Sequence, residues 1–164
     1  MTARIAKIVM TFGLAAFAFL VTFNNVTDYD SNFQFVRHVL SMDTTFEGNA
    51  AMYRAITSPV LWTIGYWGII AGEALTCVLF LLAGLAMLRA REQPAPVFEA
   101  SKRLFHLGAA TGFLVWFVGF MVVGGEWFLM WQSPTWNGQQ AAFRFYMTIL
   151  AVLIYVNQPD GEPR

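Results

Sequence analysis

The sequence predicts an all-α fold: a four-helix transmembrane bundle with one further amphipathic helix lying in the membrane interface on the non-cytoplasmic side. Three observations predict it. Hydrophobic residues fill 57% of the 164 positions and charged residues only 12%, with a mean hydropathy of +0.54, so a water-soluble domain would lack the polar surface to cover itself. Four runs are long and apolar enough to cross a hydrocarbon core, which takes about 20 residues at roughly 1.5 Å each. Between the first two, a shorter segment carries apolar and polar residues on opposite sides of a helical wheel. The formal net charge is zero, which gives nucleic acid no electrostatic footprint; the composition points to the lipid bilayer as partner. The whole chain, 1–164, reads as a single integral membrane domain.

The first span covers about residues 8–25. Arg4 and Lys7 precede it and Ala16-Phe17-Ala18 imitates a signal cleavage site. Cleavage there would leave a very short apolar stretch, and the run continues to Val26, so a retained span is expected. The second span covers about 59–88, the third about 104–130 and the fourth about 139–156, the last being the weakest because Arg144 sits inside it. Basic residues set the orientation. Arg4, Lys7, Arg89, Arg91, Lys102 and Arg103 lie on one side; on the other, Arg37 and Arg54 are outnumbered by Asp28, Asp30, Asp43 and Glu47, and residues 131–138 carry no basic residue. The positive-inside rule therefore places both termini and the connector "RAREQPAPVFEASKR" in the cytoplasm.

The interfacial helix covers about 33–42. At about 100° per residue, Phe33, Phe35, Val36, Val39, Leu40 and Met42 fill one half of the wheel, and Gln34, Arg37, His38 and Ser41 the other. Ser31 and Gln34 have the spacing of a capping box. Such a helix lies flat, apolar side down, as an anchor or a lid over the bundle; a surface that docks a partner is the competing reading. Asn25-Val26-Thr27 matches a glycosylation acceptor, but it abuts the membrane and is read as a chance match.

Within the spans, Gly65, Gly68, Gly72 and Thr76 fall within roughly 80° of one another, and Gly108, Gly112, Gly119 and Glu126 within about 40°. Stripes of small residues let helix backbones approach closely in lipid. Glu126 continues the second stripe, so it is expected to face the bundle. It lies nine residues before Thr135, the centre of the turn between spans three and four, and Arg144 lies nine residues after it. Equal separation in an antiparallel hairpin implies similar depth, so a Glu126–Arg144 ion pair is expected near the outer interface; contact with a ligand or substrate, or chemistry, is the alternative for Glu126. Trp127, Trp131 and Trp136 supply an aromatic belt at that level.

Glu73 stands near the middle of an uncharged run from Ala55 to Leu88. An ionised carboxylate there is costly to bury, so a neutral acid is expected unless a partner or water meets it. Thr76, Thr22, Asn24 and Thr148 are the candidate hydrogen-bonding partners. A proton or ion relay and contact with a partner protein or lipid headgroup are the functional alternatives to a structural hydrogen bond.

The remaining chemistry is sparse. His38 and His106 fall on opposite sides of the membrane and cannot together ligate one haem within a subunit. No cofactor or metal site is predicted: Cys77 is the only cysteine, and there is no phosphate loop, nucleophile elbow or zinc-protease motif. No catalytic residue is predicted and no enzymatic activity expected.

The strings "NNVTDYDSNFQFVRHVLSMDTTF", "AITSPVLW" and "GGEWFLMWQSPTWNGQQAAFR" together resemble an uncharacterised proteobacterial family of predicted small integral membrane proteins, a domain of unknown function. The resemblance implies a bacterial inner-membrane protein of four spans, with the amphipathic helix periplasmic, and it carries over no catalytic residue. Three function classes follow: a non-enzymatic accessory or interaction subunit that binds another membrane protein or itself; a small ion- or proton-coupled transporter using Glu73; and a quinone- or haem-associated membrane enzyme subunit. Polar groups cluster in the outer half, where the function is expected.

Overall fold

The computed structural model describes residues 1–162. All of its regular structure is helical, with no strand among the described residues. The chain forms α1 (Thr2–Thr27), α2 (Tyr29–Ser41), α3 (Pro59–Arg89), α4 (Ala95–Ser101), α5 (Arg103–Phe113), a π-helical continuation of α5 (Leu114–Trp127), and α6 (Gln139–Val156); short 3-10 turns occur at Met52–Arg54 and Met130–Gln132. Four helices can cross a membrane: Thr2–Thr27, Pro59–Arg89, Ala95–Trp127 and Gln139–Val156, with mean hydropathies of 2.0, 2.2, 2.0 and 1.3. The fourth is the weakest, as Arg144 implies. Both termini lie at one end of the bundle, where Arg4 reaches Gly161 O; α2 covers the other end.

Helix α3 is the spine. It packs along α1 on one side and α5 on the other. At 31 residues it is about 46 Å long, so its first turns project past α1 and hold α2 above them. A Cβ at Gly65 would come within 3.4 Å of Leu40 Cδ1 and 3.9 Å of Val36 Cγ1. Deeper in the bundle, the glycines mark true close approaches: a Cβ at Gly72 would meet Val115 at 2.6 Å, one at Gly84 would meet Phe12 at 2.7 Å, and one at Gly112 would meet Ile149 at 2.7 Å. The expected stripe on α3 is thereby corrected at Gly68, which faces open space. At about 100° per residue, Gly68 lies some 60° from Gly65, at the rim of the arc.

The expectation that Glu126 faces the bundle fails for a geometric reason. The backbone N–H of Phe128 donates to Val123 O at 3.0 Å, an i to i−5 bond, and the helix is π-wound from Leu114 to Trp127. A π-helix holds more residues per turn than the 3.6 of an α-helix. Its inward positions accordingly run Gly112, Trp116, Phe120, then Gly124 and Gly125, four to five apart, and the phase lag carries Glu126 and Trp127 to the exposed side.

Helix α2 begins at Tyr29, two residues ahead of the expected capping box. Asp28 occupies the N-cap position with no side-chain cap bond, and Ser31 lies inside the helix, so Ser31 and Gln34 form no capping box. Met42 ends the helix at φ 54°, and Leu129 reverses the chain after the third span at φ 53°. A left-handed backbone at such residues costs about 1–3 kcal/mol. Both residues belong to one cluster with Val39, Phe128 and Met130, whose packing holds the two reversals together.

Candidate functional site

The interior of the lid end contains one carboxylate. Glu73 is 1% exposed, and its Oε2 accepts a hydrogen bond of 2.7 Å from Asn25 Nδ2. The Tyr66 hydroxyl, two helical turns earlier on α3, donates to Asn25 O at 2.7 Å. Asn25 is therefore held by its backbone while its amide holds the acid. Asn25 lies two residues before Thr27, the end of α1, so Glu73 sits level with the last turn of α1 and not at mid-depth. The overhang of α3 explains the difference. The four partners expected for Glu73 do not serve it. Thr22 and Thr76 bond their own helix carbonyls at Ala18 and Gly72, each at 2.8 Å, and Thr148 bonds Arg144 O at 2.7 Å, while Asn24 is exposed.

Beside Glu73 is a cavity of about 220 Å³ whose walls come from every span and from α2. Asn32, Phe35 and Val36 of α2 form its roof; Trp116, Phe120 and Phe145 contribute aromatic walls. A second chamber of about 200 Å³ shares Phe35, Val36, Ile69 and Phe120 and is otherwise lined by apolar side chains and glycines. No fully enclosed side-chain nitrogen or oxygen among the described residues lacks a partner. Glu73 Oε1 has no hydrogen-bond partner in the chain, so it is reached by the space of the cavity.

Helix α2 is a lid, and its expected apolar face is turned onto the bundle. Val36 packs with Tyr66 and Ile70, with Phe33 at the margin, and Val39 packs with Met42, Phe128 and Met130, with Leu40 alongside. Trp136 belongs to this lid contact: its ring stacks on His38 at 4.7 Å and 11°, and His38 Nδ1–H donates to Asp43 at 2.8 Å. Trp127 and Trp131 instead face outward, 52% and 46% exposed.

The Glu126–Arg144 clasp does not form. Both side chains are exposed, and neither takes part in a salt bridge among the described residues. Their depths also differ, because Glu126 is one residue from the end of its helix at Trp127 while Arg144 is five residues into α6 from Gln139. The 3-10 turn at Met130–Gln132 makes the connection asymmetric, so counting from Thr135 misplaced the register.

At the opposite end lies a cluster that sequence reasoning used only as a topological signal. Lys7 Nζ and Lys102 Nζ both donate to Asp160 Oδ2, at 2.7 and 2.6 Å, and Lys102 also pairs with Glu99 at 2.9 Å. Both lysines are 1% exposed. Arg4, 2% exposed, donates to the carbonyls of Arg91, Gln93 and Gly161 at 3.0, 2.6 and 2.8 Å. Burial by itself would raise the pKa of Asp160, yet the hydrogen bonds and charges of Lys102 and Lys7 prevail and hold its carboxyl below the ordinary value of 3.8. His106, on the same end, meets Asn157 Oδ1 at 2.6 Å. No group of three or more metal-ligating side chains occurs among the described residues.

A helical bundle of four spans with two lidded, largely apolar chambers and a charged clasp at the far end defines a small polytopic membrane protein. The chain belongs to the family described as "predicted small integral membrane protein" (DUF2165), whose model matches residues 3–159. No curated protein and no solved structure matches the chain.

Proposed function

We propose that the protein is a non-enzymatic accessory or interaction subunit of a membrane complex, resident in the bacterial inner membrane with both termini cytoplasmic and the α2 cap periplasmic. The outer surface of the cap carries this reading. Phe46, Tyr53, Trp127 and Trp131 are 59%, 77%, 52% and 46% exposed, and the Arg54 guanidinium lies 4.8 Å over the Trp127 ring. Tyrosine, tryptophan and arginine are the residues that dominate protein–protein hot spots. They are also held in place: Gln132 Oε1 accepts from Phe46 N at 3.2 Å and Asn49 Nδ2 at 3.0 Å, and Thr44 donates to Ser133 Oγ at 2.8 Å. A surface ordered before binding loses less entropy on binding.

Aromatic side chains also favour the bilayer interface, and one experiment separates the two roles. Native mass spectrometry of gently solubilised membranes should show a stoichiometric complex that Tyr53→Ser with Trp131→Ser dissociates. An 18.4 kDa monomer carrying only lipid would overturn the proposal. The basic residues support the orientation, for which a periplasm-active reporter should give signal after Glu47 or Trp136 and none after Gln93 or Pro159.

The cavity beside Glu73 favours a second reading, a small ion- or proton-coupled transporter that uses Glu73. An intramembrane carboxylate facing a cavity is a general mark of a substrate or ion path. Glu73→Gln would abolish transport by proteoliposomes while leaving the fold intact, and unchanged transport would remove this reading.

A further inference from the structure

We propose that the paired chambers under α2 bind an organic ammonium ion with an apolar body, its cationic head at Glu73 Oε1 and its body in the adjoining apolar chamber. The assignment goes beyond the accessory role and holds with or without a partner subunit. Three observations carry it. First, Asn25 engages only Oε2 of Glu73, leaving Oε1 as an acceptor that opens on the cavity. Second, no lysine, arginine or histidine lines either chamber, so the chain supplies the acid but not its counter-charge. Third, the head chamber is walled by Phe35, Tyr66, Trp116, Phe120 and Phe145. Aromatic faces attract organic cations through their quadrupoles, and more strongly where water is excluded.

Other occupants fit less well. A hard metal ion needs about six oxygen ligands, whereas the side-chain oxygens on the head chamber belong to Glu73, Tyr66, Asn25 and Asn32, and the Tyr66 hydroxyl is engaged with Asn25 O. A proton alone has no use for about 220 Å³ of aromatic-lined space. An anion would meet an acid with no compensating base. The shared walls Phe35, Val36, Ile69 and Phe120 set the two chambers side by side, polar at the Glu73 end and apolar at the other, matching a cation with an aliphatic or aromatic body.

The test uses the purified full chain in nanodiscs of phosphatidylglycerol, a lipid without an amine, titrated with radiolabelled benzyltrimethylammonium. Saturable binding at one per chain is expected, with benzenesulfonate failing to compete. Glu73→Gln should weaken binding about tenfold or more, and Trp116→Leu several-fold with the acid still present. Absence of saturable binding by protein with its full helical signal, or equal affinity in Glu73→Gln, overturns the proposal. If the Gln variant fails to fold, Glu73→Asp replaces it; this variant should keep its preference for the cation over the sulfonate, and loss of the preference counts against the site. Replacing part of the lipid by phosphatidylethanolamine distinguishes the source of the ligand: competition identifies a lipid headgroup amine, and unchanged affinity a free amine. Both outcomes uphold the ammonium chemistry.

Discussion

At the end that carries the termini, Lys7 and Lys102 converge on Asp160, Glu99 adds a second acid and Arg4 is saturated by three carbonyls; at the lid end, Glu73 has one neutral amide and an open cavity. Both places bury charge-bearing groups to about 1% exposure. The first closes its electrostatics within the chain, which makes it a staple joining α1, α4, the start of α5 and the tail after α6. The second leaves an acceptor unused. A buried polar group without a full set of partners costs stability, so the lid-end site is the one where the proposed cation would restore stability.

The largest effect should come from breaking the staple. Asp160→Ala leaves two lysines buried beside each other, with only Glu99 remaining, and should destabilise the protein by about 3 kcal/mol, the low end of the cost of orphaning a buried charge. Thermal unfolding in detergent checks it. The pH dependence has a definite sign. Because the folded-state value for Asp160 lies below 3.8, its contribution is complete above that pH and is lost as pH falls through the depressed value. The gap in melting temperature between wild type and Asp160→Ala should be constant at neutral pH and close in acid below about pH 4. A gap unchanged in acid would mean that Asp160 acts by packing and not by charge.

Between the two ends, the close approaches give smaller changes. Gly112→Val should cost about 1–3 kcal/mol, since its Cβ would press on Ile149 Cδ1 at 2.7 Å, Trp116 at 3.2 Å and Thr76 at 3.3 Å. Gly68→Ala, facing open space, should be neutral or slightly stabilising. Equal losses at the two positions in melting experiments would refute the packing assignment. Smaller again is Asn25→Leu, which removes the one hydrogen bond to Glu73 and should cost about 1 kcal/mol, the scale for interhelical bonds in lipid.

The spans were legible because hydropathy and length decide them, and the lid because its two faces are clean at α-helical spacing. Glu73 was legible as a buried acid, but its partner was not, since depth was counted along α3 without knowing how far α3 overhangs α1. A signal for Asn25 did exist. The inward positions Arg4, Lys7, Thr11, Leu14, Ala18, Val21 and Asn25 recur on α1 at alternating steps of three and four, a continuous seam. Reading that seam to both its ends would have placed Asn25 beside α3 and turned Arg4 and Lys7 from topological markers into buried groups. Glu126 was misplaced for a different reason: the wheel assumes 100° per residue, and nothing in "LVWFVGFMVVGGEW" announces a π-wound segment. The hydrogen-bond pattern there is set by tertiary packing, which a local projection does not contain.

The smallest expected effect is also the sharpest statement about the lid half. If Glu126 and Arg144 formed a desolvated pair, removing one would strand the other, and removing both would recover much of the loss. Both are exposed and lie at different depths, so each replacement by Ala should change stability by no more than about 0.5 kcal/mol, the ordinary range for surface sites. The double change should equal the sum of the singles within about 0.3–0.5 kcal/mol. A double-mutant cycle followed by detergent melting measures this directly. A coupling energy above about 1 kcal/mol would restore the clasp, place a second compensated charge pair near the lid, and remove the contrast between a staple at one end and an uncompensated acid at the other. Additivity leaves Glu73 as the one buried acid of the lid half among the described residues.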